Sequence, residues 1–306
     1  MIKKITAFLL MGIMCFLAIQ NHQHPQLKFN HGLHRLTHPF DTRVRYRIGQ
    51  VDNRFGLTET QVIDLSEKAA NIWRDGTGKE WFVYDKDARL TINFIYDERQ
   101  AESDARRDTK FAIDGMVMSH QKQSAKIDSD KRSLDIEFNA IQNQVNHWQS
   151  SYNELVSRIN STQDPTIRQN LLNEHQAMLA QKQVLDSKVL AYNQKRASFN
   201  QFVDEFNQHT QTINTAINNA NSRFVARQFH KGIFNGKEIN IYEFSSLDDL
   251  KLTLAHELGH ALDIGHNDDP SALMYSMAGE QDMANFKLKP ADIELLNHRG
   301  EHDRLF

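Results

Sequence analysis

Residues 256–275 read HELGHALDIGHNDDPSALMY, and the interpretation of the whole 306-residue chain starts from this stretch. It begins with a His-Glu-x-x-His motif, in which His256 and His260 are four residues apart. Side chains at this spacing project from the same side of a helix, so two imidazoles can bind one metal ion. The apolar residues of the segment lie on the opposite side: Leu254, Leu258, Ala261 and Leu262. The pattern therefore predicts a helix with one face in a core and the other face toward a cleft.

A third histidine strengthens this interpretation. A His-Glu-x-x-His motif also arises by chance, but here His266 lies six residues after His260, and Met274 follows His266 by eight. This longer combination has the spacing of a three-histidine zinc site. Three protein ligands leave the fourth position of a tetrahedral Zn2+ ion open for water. The spacing thus predicts zinc bound by His256, His260 and His266, with Glu257 beside the bound water.

Composition narrows the class of protein. Charged residues make up 25% and hydrophobic residues 40% of the chain, as in ordinary globular proteins. The net charge is -3, so the chain does not have the excess of basic residues that is typical of nucleic-acid-binding proteins. We therefore expect no nucleic-acid partner. The single cysteine, Cys15, lies in an apolar leader, which leaves the folded part without a thiolate ligand. Any metal site there must use histidines and carboxylates.

The first 40 residues predict an export signal and a linker. Lys3 and Lys4 precede the apolar run Ile5–Ile19, which suits a signal peptide over residues 1–20. An uncleaved membrane anchor through residues 2–19 stays open as the alternative, and either reading predicts an exported chain. Residues 21–40 are rich in histidine and are interpreted as a solvated linker, with metal capture as the alternative.

Residues 41–110 predict the first part of a globular domain. Basic and apolar residues alternate over Arg43–Ile48, which indicates a strand with one buried face. Thr58, with Gln61 three residues later, is a candidate capping box at the start of a helix. Aromatic and β-branched residues predict two further strands, Trp81–Tyr84 and Leu90–Tyr96.

Residues 111–221 predict an inserted antiparallel coiled-coil hairpin. One seam of apolar residues seven apart consists of Ile127, Leu134, Ile141, Trp148 and Leu155. After a break at residues 160–165, a second consists of Leu171, Met178, Leu185, Tyr192, Phe199, Phe206 and Ile213. Heptad spacing of this kind is typical of helices that pack pairwise. His175, Lys182 and Arg196 are polar residues at core positions of the second arm and are expected to weaken its seam.

Residues 222–306 predict the second part of the domain, with the metal site. Glu238–Phe244 alternates as a strand. Ser245 and Ser246 each have an aspartate three residues later and can cap the helix that follows. Pro290 can open a last short helix, because proline fits the first helical turn.

The segment His256–Tyr275 resembles the matrixin branch of the metzincins. The resemblance extends over about residues 41–99 and 223–299. It implies an α/β (α+β) fold: a twisted mixed sheet with an active-site helix and a C-terminal helix, here interrupted by the long helical hairpin.

The resemblance also implies an activity, that of a zinc-dependent endopeptidase. His256, His260 and His266 would be the zinc ligands, Glu257 the general base, and Met274 the turn beneath the metal. The substrate would be an extended peptide or protein segment, lying antiparallel to an edge strand within residues 223–234. Residues 276–288 would wall the pocket beyond the cleaved bond, where Met277, Met283 and Phe286 suggest an apolar lining.

Three features depart from the family pattern. Asp263 stands where the family has glycine, at a turn that favours a left-handed backbone; aspartate tolerates this conformation better than most residues. No cysteine outside the leader can block the zinc, as the propeptide thiol does in many matrixins. The hairpin replaces a loop region that holds structural metals in the family, so those sites are not carried over.

Two other functions stay open. The chain could be a non-catalytic interaction protein, in which the hairpin binds a partner or self-associates and the peptidase-like domain is a scaffold. The presence of Glu257 with all three histidines argues against this. The chain could also be a zinc hydrolase of a non-peptide amide, which the matrixin-like flanks disfavour.

Overall fold

The computed structural model describes residues 2–225, 229–277 and 279–299. The chain divides into two compact units: Met1–Arg107 with Ala226–Phe306, and Asp108–Val225. The domain boundaries taken from the sequence stay predictions, and the end of the predicted C-terminal part, residues 300–306, lies outside the described residues.

A five-stranded mixed sheet forms the centre of the first unit. Its strands are β1 (Val44–Val51), β2 (Phe82–Tyr84), β3 (Leu90–Phe94), β4 (Gly232–Phe234) and β5 (Glu238–Ile241), in the spatial order β2-β1-β3-β5-β4. All neighbouring pairs are parallel except β4 with β5, which is antiparallel. This confirms the predicted mixed sheet and places β4 at one end of the strand order.

Two helices pack together in this unit. α3 (Glu59–Thr77) begins at Thr58, whose capping box with Gln61 forms as the sequence predicts. α6 (Leu247–Ala261) packs against α3, and the fully buried Trp73 donates its indole N–H to the Ala255 carbonyl at 2.8 Å. These two helices and the sheet share one hydrophobic core. The short α7 (Pro290–Asn297) begins at Pro290, as expected.

The segment before the first strand differs from the predicted solvated linker. Pro25–Phe29 forms a short 3-10 turn and Gly32–Thr37 forms α2. Leu27 is fully buried, and Phe29 belongs to the main core. Only two of the apolar residues in this segment are buried, and two positions are too few to show a period, which is why the sequence pattern did not indicate this packing.

The leader forms α1 (Ile2–Gln23). Its last turns are bonded to α2, since Arg35 donates to the Leu17 carbonyl at 3.0 Å and to the Gln20 side chain at 3.1 Å. Among residues 2–225, 229–277 and 279–299, no helix is long and apolar enough to cross a membrane.

The second unit is a helical hairpin. α4 (Glu98–Ser161) has 64 residues and α5 (Pro165–Arg223) has 59, with Asp164 capping the second arm. The first helix therefore begins 13 residues before the predicted start of the insertion at residue 111, because polar residues 98–110 continue the helix without a seam. Leu171, Met178, Leu185 and Ile213 of the second seam are buried.

Contacts across the hairpin show that its arms are antiparallel. Glu137 pairs with Lys195 at 2.9 Å, and the Trp148 indole donates to the Met178 carbonyl at 3.0 Å. His175, expected to weaken the seam, lies 3.1 Å from the Tyr152 hydroxyl and so has a polar partner there.

Candidate metal centre

The helix α6 supplies two of the three predicted ligands. It begins where the Ser246 side chain accepts the Asp249 backbone N–H at 3.1 Å. Leu250, Leu254 and Leu258 follow at four-residue spacing and are fully buried. This buried stripe fixes the rotation of the helix, so the histidines at 256 and 260 leave it on another side.

A tight turn brings the third histidine back to the helix. The helix ends at Ala261 with Leu262 as its C-cap, and Asp263 has φ 70°, the only non-glycine residue with a positive φ in the described part of the chain. This is the left-handed conformation expected at a position where the family has glycine. The Lys28 ammonium lies 2.7 Å from the Asp263 carboxylate.

The three imidazoles converge. The potential ligand atoms of His256, His260 and His266 all lie within 4.8 Å of one another. The Nε2 atoms of His256 and His266 are 3.2 Å apart. Two nitrogens bound to one tetrahedral zinc ion at roughly 2.0–2.1 Å are separated by about 3.3 Å, so this pair fits zinc closely. Among the described residues, no other group of three or more candidate ligand side chains comes this close together.

Backbone carbonyls orient two of the rings. The Nδ1 of His256 lies 2.7 Å from the Leu273 carbonyl, and the Nδ1 of His260 lies 2.9 Å from the Ile264 carbonyl. Because a carbonyl only accepts, each Nδ1 donates, and each Nε2 is left with its lone pair. This is the arrangement that metal-binding histidines commonly show.

Burial favours the neutral form of these imidazoles. Desolvation lowers the pKa of His256 to about 4 and also lowers the pKa of His260 and of His266. Neutral imidazole is the form that binds a metal ion. His230, which no motif in the sequence marks, lies close enough to lower the pKa of His256 and His266 further.

Glu257 follows His256 on α6 and lies inside the protein. Only 5% of its surface is exposed, and burial raises the pKa of its carboxyl to about 7, partly offset by a hydrogen bond with the Phe234 backbone. A Cβ on Gly232 would lie 2.9 Å from a Glu257 carboxylate oxygen. The edge strand β4 therefore runs directly against this side chain, and glycine allows the close approach.

Met274 packs against α6 at Gly259. It is fully buried, and a Cβ added to Gly259 would be 2.4 Å from its sulfur and 2.7 Å from the Trp73 ring. Glycine at position 259 thus permits the loop to pack on the helix. The role of Met274 beneath the metal stays a prediction. Nothing in the sequence indicated the role of Gly259, because only the packed structure shows what occupies the space around it.

Asp292 holds the same loop from the other side. It is fully buried and accepts the backbone N–H groups of Leu273, Met274 and Lys289 at 2.9–3.0 Å, and the Asn267 amide at 3.2 Å. The sequence did not predict this role. The only local feature of Asp292 in the sequence is its position in the first turn of α7. Acidic residues are common there because they interact favourably with the helix dipole, so the position alone does not indicate hydrogen bonds to a distant loop.

The predicted pocket wall is only partly tested by the described residues. Met283 and Phe286 are partly buried and pack against the main core, whereas Met277 is exposed. Core packing thus accounts for the first two side chains as well as a pocket lining would. Ala278, in the same stretch, lies outside the described residues.

Comparison with known proteins identifies relatives of this chain. It is 53% identical over 38 residues to Matrilysin of Felis catus, and 54% identical over 39 residues to Matrilysin of Homo sapiens. These stretches cover 12% and 13% of this chain, and 14% and 15% of the two relatives. The chain therefore spans about one seventh of the length of the curated relatives it matches.

A family model gives wider coverage. The matrixin model matches residues 37–298, which include the sheet, both core helices, the converging histidines and the methionine turn. Matrixins typically bind zinc, and the three histidines could hold a metal ion. With the geometry and the match in agreement, the chain belongs to the matrixin family of metallopeptidases.

Proposed function

We propose that this protein is an exported zinc-dependent endopeptidase. His256, His260 and His266 are the proposed ligands, Glu257 the general base, and Met274 the support beneath the metal. The observation that carries the proposal is the convergence of three imidazoles, two of them oriented by Nδ1 bonds to the Leu273 and Ile264 carbonyls.

The chemistry divides between the metal and the chain. When bound, zinc supplies a Lewis acid that polarises the scissile carbonyl and lowers the pKa of a bound water to around 7. Glu257 accepts the proton of the attacking water and delivers it to the leaving amine. The burial of Glu257 against β4 holds the carboxylate in place for both transfers. His256 and His260 keep their Nδ1 protons on carbonyls and so stay in the ligating tautomer.

The substrate class follows from the edge strand. β4 (Gly232–Phe234) ends the strand order, and its neighbour β5 pairs with it on one side. An extended peptide can add to such an edge through backbone hydrogen bonds, beside Glu257. We therefore propose peptide or protein substrates that bind as an added strand.

Export and the role of the hairpin are further parts of the proposal. Lys3 and Lys4 before the apolar run Ile5–Ile19 support export, with the leader as signal peptide or anchor. Residues 111–221 are proposed as a coiled-coil insertion between two parts of the peptidase domain.

The test compares the parent with Glu257→Gln. The parent is expected to bind about one zinc per chain and to cleave casein or a peptide library. Glu257→Gln keeps the shape of the side chain but removes the base, so we expect unchanged zinc content and a rate lower by roughly 10²–10⁴-fold. Zinc is measured by atomic absorption and cleavage by mass spectrometry.

The control is Glu294→Gln, which changes an exposed glutamate on α7 and is expected to leave both quantities unchanged. If the parent holds no zinc, or if Glu257→Gln cleaves as fast as the parent, the proposal is wrong.

The alternative is an interaction protein whose hairpin binds a partner. The hairpin exposes large apolar side chains at Ile136, Val184 and Leu190. Exposed apolar residues of this kind favour binding of a protein partner to the hairpin. Zinc binding by the parent without cleavage of any member of a broad peptide library would support this alternative over the peptidase.

A further inference from the structure

A lysine from the segment before the first strand contacts the metal-site turn. The Lys28 ammonium lies 2.7 Å from Oδ1 of Asp263, although the two residues are 235 positions apart in sequence. The side chains are 47% and 25% exposed, so the pair is accessible to water without being fully solvated. Arg299 also interacts electrostatically with Asp263, whereas Lys28 forms a direct ion pair with it.

The turn at Asp263 controls two of the three proposed ligands. It lies three residues after His260 and three before His266, and its φ of 70° reverses the chain between them. The next residue, Ile264, offers the carbonyl that orients the His260 ring. A residue other than glycine strains this conformation, by roughly 1–2 kcal/mol for an ordinary side chain. A shift of the turn would therefore move His266 and release the His260 ring.

Lys28 is held in place by its neighbours. Leu27 is fully buried, and the Phe29 ring meets the Phe234 ring edge-on at 5.3 Å. The Asn30 amide donates to the Arg43 carbonyl at 2.7 Å, and its carbonyl oxygen accepts the Arg45 N–H at 2.9 Å. The backbone at Lys28 is thus anchored on both sides, which reduces the entropy lost when its side chain meets the carboxylate.

The same segment also reaches the strand beside the general base. Phe234, which Phe29 contacts, belongs to β4, and Gly232 of the same strand packs against the Glu257 side chain. Residues 28 and 29 therefore contact both the turn that follows His260 and the edge strand that borders Glu257.

We propose that Lys28 is a positioning residue of the metal site: its ammonium holds Asp263 in the left-handed turn that carries His266 back toward His256 and His260. This inference rests on the proposed metal site and deepens it. It also gives residues 25–30 a role in that site, in a chain that has aspartate where its family has glycine.

The experiment is a double-mutant cycle on the full-length protein, using Lys28→Met, Asp263→Asn and the two together. Asparagine tolerates the left-handed conformation but carries no charge. The dissociation constant of zinc is measured by competition with a chelating dye. Amide hydrogen exchange of residues 262–267 is measured separately on the metal-free protein.

Each single variant is expected to raise the zinc dissociation constant about two- to fivefold, which is the range for partly exposed ion pairs. The double variant should raise it no further, because either change alone removes the interaction. Lys28→Met should accelerate exchange at residues 262–267 in the metal-free protein. Lys28→Arg, which keeps the positive charge, should leave both the zinc dissociation constant and the exchange rate close to the parent values. The effect of Lys28→Met on zinc affinity should become smaller at about 1 M salt, where the screening length is roughly 3 Å.

The matched control is Lys68→Met, which breaks a comparable pair with Asp64 on α3. The inference is wrong if Lys28→Met behaves like Lys68→Met in zinc affinity and exchange, or if the two single effects add in the double variant. A parent that binds no zinc would overturn the proposed function, whereas the exchange measurement would still decide the role of Lys28.

Discussion

Single residues set how closely the elements of the site approach. Gly259 lies between the two histidines of α6, and a side chain there would meet the Met274 sulfur and the Trp73 ring. In the same way, a side chain at Gly232 would meet the side chain of Glu257. At both positions glycine is required because it has no Cβ and so leaves room for the neighbouring side chain, and not because of its backbone freedom.

Gly259→Ala tests this directly. The added methyl must displace Met274 or Trp73, both fully buried, so we expect a loss of roughly 1–3 kcal/mol in the free energy of unfolding. Zinc affinity should fall as well, because the Leu273 carbonyl that orients His256 belongs to the displaced loop. Urea denaturation and dye competition measure the two effects.

Gly115→Ala is the control for that substitution. Gly115 lies in α4, where a Cβ would have no described neighbour within 4 Å, so alanine should stabilise the helix by about 0.5–1 kcal/mol. Equal behaviour of the two variants would contradict steric contact at Gly259.

At the scale of elements, α7 acts on the site through one carboxylate. Asp292 receives hydrogen bonds from four donors, two of them the amides of Leu273 and Met274. Leu273 in turn offers its carbonyl to His256. The chain of contacts thus runs from the last helix through the methionine turn to the first proposed ligand.

Asp292→Asn should weaken this connection. Asparagine replaces one carboxylate oxygen by an NH2 group, which cannot accept the two hydrogen bonds that this oxygen accepted. Because two buried donors then have no acceptor, we expect a loss of roughly 3 kcal/mol in the free energy of unfolding. Zinc should also dissociate faster, as measured by stopped-flow transfer to a chelator.

Asp282→Asn is its matched control, since Asp282 also accepts two backbone N–H groups, from Ala284 and Asn285, but is exposed. If the buried and the exposed substitution cost the same, Asp292 does not support the turn as described.

At the scale of the molecule, the two units have separate hydrophobic clusters. The main core joins the sheet with α3 and α6, whereas Leu155, Leu171 and Met178 form a cluster within the hairpin. The residues of the candidate metal centre all belong to the first unit. The hairpin is therefore expected to contribute to the choice of partner or substrate rather than to metal binding.

A shortened hairpin tests this expectation. Replacing residues 141–191 by a short Gly-Asn turn keeps the pair Glu137–Lys195 and removes the distal cluster. The shortened protein should bind as much zinc per chain as the parent and should cleave a short peptide at the parent rate. Casein cleavage is measured on both proteins in parallel. Loss of zinc or of peptide cleavage would contradict the independence of the site, and loss of casein cleavage alone would assign substrate recruitment to the hairpin.

The sequence by itself determined the features that depend on local spacing. The capping box at Thr58 and the two long helices were predicted from the spacing of neighbouring residues and are confirmed. The mixed sheet, which the resemblance implied, is confirmed as well. The convergence of His256, His260 and His266 also followed from their spacing, because one helix and one turn carry all three. Their role as ligands stays a prediction.

Only the tertiary structure revealed the contacts that support this site. Lys28 meets Asp263 across 235 residues, Asp292 meets Leu273 across 19, and Gly259 meets Trp73 from another helix. No periodicity links such positions, since each contact depends on how the sheet and the helices pack. The packing of residues 25–30 was missed for the same reason: its two buried apolar residues show their role only against the core that covers them.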